Sequence, residues 1–526
     1  MRIGVDFGTT RTVVALADRG NYPVLSFFDE LGDAREWFPS VVAERGGELC
    51  FGFEALALSD DPDASVVRSF KRWLADPHAV PSTPARVGAI MLPLGELITR
   101  FLMAVREALL TRSNLTAEFA AFDPARDALH TVIGVPAHAH GAQRFATLDA
   151  FTRAGFTPVA MLNEPSAAGF EFAHRHASAL SARRDHIVVY DLGGGTFDAS
   201  LVRMRGRHHE VLKTAGLNRL GGDDFDEIVF ELACASAKLD PHALSQAMRG
   251  RLLDQCRDAK ERLSPSSRKL SIDLDAALGA RAPKPELSLA VNDFYDACAP
   301  LMERSIDVML PVMAELEGAL RGDSVDSANV AGLAGVYVVG GASALPVIAR
   351  TLRKRFGRRV HRSPYASAAV AIGLAIACDE AAEFEISDHY ARTFGVFREA
   401  AAGREITFDP IFTNETPVPA KPAEPLTCRR VYRAAHNIGH FRFLECSALG
   451  SDGRPRGDMV LSGDVFFPFD PSLREGTLDL AAVPVRRIHD SGPRIEEEYV
   501  LDEHGTVAVT IRNLDADYQR VYRVGG

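Results

Sequence analysis

A short acidic, glycine-rich turn occurs twice in this chain, and it constrains the fold more than any other feature. One copy reads GVDFGTTRTVVALADRG (residues 4–20) and the other YDLGGGTFDASLVRMRG (190–206). Each is an apolar run ending in Asp, a turn of small residues, and a second β-type run. With Asp6 set over Asp191, an offset of 185 positions, Gly8, Thr9 and Thr10 fall opposite Gly193, Gly194 and Gly195. A strand that ends in Asp and turns through small residues can bring backbone N–H groups close to phosphate oxygens. Its carboxylate can hold hydrated Mg²⁺, which prefers one or two carboxylates plus phosphate. Alone, either turn would pass for a tight hairpin. Two in register, each opening a lobe of similar size, read as a clamp that holds a polyphosphate from both sides.

The chain is long enough for such a design. Its 526 residues allow two to four domains, and a composition of 47% apolar and 25% charged residues is that of a soluble globular protein. The net charge of -11 gives no electrostatic reason to expect nucleic acid or an anionic membrane as partner. The basic clusters RRD at Arg183 and RKRFGRR at Arg353 are short and read as solvated faces. Seven cysteines are spread singly without a CxxC pair, which points to reduced thiols rather than disulfides or zinc. The uncharged stretch 330–349 has membrane-spanning length, but four glycines and Pro346 make it a strand–turn–helix. No signal-peptide pattern opens the chain, and a cytoplasmic protein is expected.

Up to about residue 380, short apolar runs alternate with amphipathic patterns. RIGVD, HTVIGV (130–135), HIVVYDL (186–192) and GVYVVGG (335–341) are the strand-like runs; Leu97, Phe101, Leu102, Val105 and Leu109 share one helical face. Such alternation predicts α/β architecture with ligands beyond the carboxyl ends of the strands. From Arg392 onward, short alternating runs such as HFRFLEC, EEEYVL and TVAVTIR predict an all-β sandwich. The Pro-rich segment 415–425 reads as an exposed loop or edge. The expected division is an ATPase-like domain over 1–380 (lobe I 1–183, lobe II 184–362, a closing helix of lobe I in 363–380), a linker over 381–391 and a β-sandwich over 392–526.

Further motifs stand between and after the two turns: FPSVV (38–42), SFKRWL (69–74), VIGVPAHAHGAQR (132–144), LNEPSAAGFEF (162–172), LGGDDFDEIV (220–229), CRDAKERLS (256–264) and VVGGASALPVIARTL (338–352). As an ordered set over about 380 residues they resemble the heat shock protein 70 (DnaK-type) family, within the actin-like ATPase superfamily. The resemblance implies ATP or ADP with Mg²⁺ between two lobes. It matches Gly8, Thr9, Thr10 and Arg11 to the first phosphate turn, and Gly193, Gly194, Gly195 and Thr196 to the second. Asp6 and Asp191 match the carboxylates around hydrated Mg²⁺. Lys71 matches a lysine that stabilises the attacking water and γ-phosphate, while Glu164, Asp198 and Thr196 complete the implied catalytic set. Gly221, Gly222, Arg257, Lys260, Ser264, Gly340, Gly341 and Ser343 match the adenosine cleft. Pro136 and Arg144 match residues that relay nucleotide state to the partner domain. His138 and His140 lack a third metal ligand and read as loop residues.

Departures from the family pattern are equally specific. Ala344 stands where an arginine usually stacks on adenine, and Arg257 replaces a usual glutamate; Arg257 is therefore a candidate to reach across in its place. The linker EAAEFEISDHYARTFGV lacks a leucine run, residues 400–490 match poorly, and no lid helix is expected after the last strand. The implied function is that of a monomeric, ATP-hydrolysing chaperone. Nucleotide state would control binding of unfolded protein segments by the β-domain, with co-chaperones or exchange factors as further partners. Two alternatives stand beside it: a nucleotide-gated interaction module with little hydrolysis, and a small-molecule kinase of the same superfamily.

Overall fold

The computed structural model describes residues 1–524 apart from 60, 120–121, 124–125, 207, 218–219, 315, 317–329, 331, 383–384, 388, 391, 420–423, 475–478 and 489–490. The two sequence copies fold as two copies of one hairpin. Arg2–Phe7 pairs antiparallel with Arg11–Leu16, and His186–Leu192 pairs antiparallel with Phe197–Arg205, setting Asp191 opposite Asp198. Each first strand then takes a parallel neighbour, His130–Val135 in one lobe and Leu333–Val339 in the other. Outside those lie Thr157–Asn163 and Val360–Arg362, again parallel. These central strands are near-continuous apolar runs because both faces of a parallel sheet are covered. Ile3, Val5, Ile187, Val188 and Val189 are all fully buried.

Two helices exchange between the lobes. Glu164–Arg175 starts where strand Thr157–Asn163 ends, with Pro165 in its first turn, where a missing N–H costs nothing. It carries Ala168 and Phe172 onto the second sheet, among Ile187, Val189, Val202 and Tyr337. Ala369–Cys378 follows the last strand of the second lobe and packs on the first sheet, among Val13, Ala15 and Val132. It has no charged residue, as expected of a helix buried all round. The two helices touch through glycine, since a Cβ at Gly373 would collide with the Ala167 carbonyl. Strand Arg2–Phe7 meets the second helix the same way, a Cβ at Gly4 colliding with the backbone of Ala371 and Ala375.

The C-terminal sandwich stacks two antiparallel four-stranded sheets. One runs Glu405–Phe412, Thr393–Ala400, Ile438–Leu449, Pro455–Pro468; the other runs Leu426–Arg433, Arg494–Leu501, Val507–Asn513, Tyr518–Arg523. Phe394, Phe441, Phe443, Phe467 and Tyr499 fill the space between them. The α/β two-lobed architecture followed by a β-sandwich, expected from the sequence, is what the chain adopts. Within the Pro-rich stretch, residues 420–423 lie outside the described residues. In the expected linker, Glu385–Ser387 is a strand, parallel to His208–Leu217, and it extends the second lobe's sheet to six strands. All seven cysteines are free thiols. No helix among the described residues is long and apolar enough to cross a membrane.

The sandwich also touches the first lobe directly. Arg144 donates through Nε and Nη2 to the His504 carbonyl at 3.1 and 3.0 Å. Asp502 folds that turn by accepting from the N–H groups of His504 and Thr506. Gly505 at φ +69° leaves room for the Arg144 guanidinium. Nearby, the buried Glu445 carboxylate accepts from the Gly141 N–H at 3.0 and 3.1 Å. It caps the positive N-terminal end of helix Gly141–Arg153.

Candidate functional site

A cleft of about 2390 Å³ lies between the lobes at the carboxyl ends of the strands. Asp6, Gly8, Thr9, Thr10 and Arg11 form one wall, and Asp191, Gly193, Gly194 and Thr196 the facing one. The turns meet closely: a Cβ at Gly194 would sit 2.6 Å from Thr10 Oγ1. Gly8 is equally constrained, since a Cβ there would collide with the Arg11 carbonyl. Behind the second turn, Gly222 and Asp223 donate their N–H groups to the carbonyls of Gly193 and Gly194 at 2.9 and 2.7 Å. The helix Gly222–Ala237 thus fixes the shape of the turn.

The floor is acidic, with one lysine. Lys71 Nζ donates to the Phe7 carbonyl and stands 3.7 Å from Glu164 Oε1. It is carried on a short 3₁₀ helix entered through Ser69, whose φ of +56° is unusual for a residue with a side chain. Burial pushes the Asp6 carboxyl up to about 6, against the pull of Lys71. Burial raises Glu164 to about 7, with Lys71 opposing and the charges of Asp6 and Asp198 adding. Asp191 goes well above its ordinary value through burial first, then through Glu164, Asp198 and Asp6. A desolvated carboxylate group with a single cation lacks positive charge, and that is where a hydrated divalent ion fits. Among the described residues, no three His, Cys, Asp or Glu side chains gather as a direct metal cage would require. The donor set therefore suits Mg²⁺ held through water, phosphate and one or two carboxylates.

At the far end, Gly222, Lys260, Ser264, Gly340, Gly341, Ala342 and Ala344 line the cleft. Gly340 adopts φ +87°, and a Cβ there would collide with Asp191. Arg257 also lines the wall, but it is held by Asp226 at 2.9 Å, Asp223 at 3.3 Å and Asp254 at 3.6 Å. Lys260 bonds to Asp226 at 2.6 Å and to the Gly222 carbonyl at 2.8 Å. Two ion pairs close the mouth between lobes, Arg11 with Glu261 at 2.6 Å and Arg68 with Asp254 at 2.9 Å.

Most of the residues singled out from sequence therefore converge on one cavity; four stand behind its wall. Ser343 is fully buried and donates to the Gly340 carbonyl at 2.6 Å, so it shapes the turn rather than facing the cleft. Gly195 lies against Arg72, and Gly221 packs on the backbone of Gly194 and Gly195. Asp198 is buried with Oδ1 2.8 Å from His138 Nδ1. His138 lies in the loop after strand His130–Val135 as expected, and that loop brings it to line the cleft and join the lobes. His140 accepts from the Gln143 N–H at 3.2 Å and caps helix Gly141–Arg153. Arg72, bonded to the Gly195 carbonyl at 3.0 Å and to Asp223 at 3.3 Å, was also passed over. The carboxylates that hold Arg257 and Lys260 had a visible signal. Asp223 and Asp226 share one helical face at i,i+3, as do Arg257 and Lys260.

Comparison with known proteins places these features in a lineage. The family profile described as "Hsp70 protein" matches residues 2–396. The chain is 33% identical over 385 residues to a "Chaperone protein HscA homolog" of Burkholderia ambifaria, and 32% identical over 386 residues to one of Burkholderia cenocepacia. It is 31% identical over 393 residues to another of Colwellia psychrerythraea. Each match covers 72% of this chain and 58% of the relative, so the chain spans well under two thirds of those proteins' length.

Proposed function

The chain belongs to the Hsp70 family, and from that premise we propose that it binds ATP or ADP with Mg²⁺ in the interlobe cleft and hydrolyses ATP slowly. Nucleotide state then governs how its β-domain holds an unfolded protein segment, with co-chaperones or exchange factors acting on the cycle. The observation that carries this reading is the convergence of both glycine turns, the carboxylates of Asp6, Glu164 and Asp191, and Lys71 on one cavity.

Phosphoryl transfer to water needs positioning and charge compensation more than covalent chemistry. Backbone N–H groups of the two turns take the phosphate oxygens. Lys71 presents its ammonium beside Glu164, where charge develops on the transferring group. Glu164 would accept a hydrogen bond from the attacking water, and Asp6 and Asp191 would hold hydrated Mg²⁺. Mg²⁺, when bound, neutralises phosphate charge and orders the in-line geometry.

A second reading is a nucleotide-gated module whose β-domain serves one dedicated partner with little turnover. The family match ends at residue 396, before most of the β-domain, and Ala344 alters the base end of the cleft. ATP turnover of the wild type beside Lys71→Ala and Asp191→Ala, with and without an unfolded peptide, separates the two. Peptide-stimulated hydrolysis lost in both variants supports the chaperone. Nucleotide binding without turnover supports the gated module, and phosphate transfer to a small alcohol would refute both.

A further inference from the structure

We propose that Arg350, backed by Tyr295, is the group on which the nucleobase stacks in this chain. The inference rests on the nucleotide reading above and adds the residue that selects the base.

The base end of the cleft carries several cations, and their partners sort them. Arg257 is held by three carboxylates and Lys260 by Asp226 and a carbonyl. Releasing either toward a base would take from buried Asp226 one of its two charge partners, which is costly. Arg262 pairs with Asp258 at 3.7 Å and lies largely in solvent. Arg350 differs. It lies on helix Pro346–Phe356, one turn beyond the Gly340–Ala344 segment, and it lines the cleft with Ala344, Leu345 and Pro346. Its guanidinium stands 5.3 Å from the centre of the Tyr295 ring. Among the described residues at this end of the cleft, it is the cation resting on an aromatic face.

That arrangement prepares a stacking surface. Tyr295 is mostly buried on helix Val291–Met313 and cannot swing away, so one face of the guanidinium is covered by protein. The Arg350 side chain is exposed and lines the cleft, so a ligand there can reach it. A planar, weakly hydrated guanidinium stacks on flat π systems, where a lysine ammonium acts only as a point charge. A purine entering over Ala344 meets a short methyl instead of a long side chain, which opens the approach to Arg350. The position that lost its arginine and the position that offers one line the same wall. Arg257, the candidate from sequence, is superseded here because its carboxylates already hold it.

The test is calorimetric titration of the full chain with Mg²⁺, using ATP and, separately, inorganic tripolyphosphate, which has phosphates but no base. Wild type, Arg350→Ala and Arg350→Lys are compared. Base–side-chain stacking of this kind is worth enough to weaken ATP binding by about tenfold or more in Arg350→Ala. Tripolyphosphate affinity should stay within about twofold, and Arg350→Lys should resemble Arg350→Ala because charge alone does not stack. Unchanged ATP affinity in Arg350→Ala overturns the proposal, and so does an equal loss for tripolyphosphate. A wild type that takes up neither ligand overturns the nucleotide reading itself.

Discussion

His140 shows how one side chain can tie the site to the domain beyond it. Burial first, and then the Arg392 charge, push its imidazole down to about 4, while Asp458 acts the other way. A histidine with a depressed value stabilises the docked state fully above about 6.5 and loses that contribution as pH falls toward 4. Glu445 is raised by burial and works in the opposite direction at lower pH. The contact between the domains should therefore weaken below about pH 6.5, by at most about tenfold per unit for one proton. Amide exchange in helix Gly141–Arg153 reads this directly, and His140→Asn, which keeps a capping acceptor, should flatten the profile. An unchanged profile would remove His140 from the coupling. Lys71→Ala, by the same residue-level logic, should cut turnover by about 100-fold or more while the protein stays folded. Loss of folding with the activity would instead make Lys71 a structural residue.

At the scale of elements, helices Glu164–Arg175 and Ala369–Cys378 cross at close range. Gly373→Ala sets a methyl against the Ala167 carbonyl, and the helices must part to admit it. The expected cost is about 1–3 kcal/mol, read as a lowered unfolding midpoint in denaturant with an unchanged slope. A neutral substitution would mean that the two helices are not locked. The elements themselves were largely legible in the sequence. Runs such as IVVYDL and VYVV have no other comfortable place than a buried parallel sheet, and Leu97, Phe101 and Val105 mark their helix face. Less legible was strand Glu385–Ser387, because three residues carry no periodicity and the partner strand lies over 170 positions away. Asp198 with His138 escaped for the same reason, since neither neighbourhood announces a bond between lobes. Arg257 is held by Asp223 and Asp226 of another helix and by Asp254 of its own, and only the spacing of these carboxylates signals it in the sequence.

At the scale of the whole molecule, a loop and the helix after it reach from the cleft to the sandwich. Pro136 and His138 line the cleft, and three residues further on Gly141 is held by Glu445 of the β-domain. Glu445→Ala leaves the Gly141 N–H without its acceptor and Arg392 without a buried partner 3.8 Å away. It should loosen the β-domain while ATP binding persists. Small-angle scattering would register a larger radius for the variant, and an identical radius would mean that Glu445 does not hold the domains together. The central claim is that two mirrored turns close on a single triphosphate, and calorimetric titration with Mg²⁺ and ATP tests it most directly. Wild type should bind one ATP, and Gly8→Ala and Gly194→Ala, one in each turn, should each weaken that binding by at least about tenfold, or 1.4 kcal/mol. Full affinity after either substitution would contradict the account.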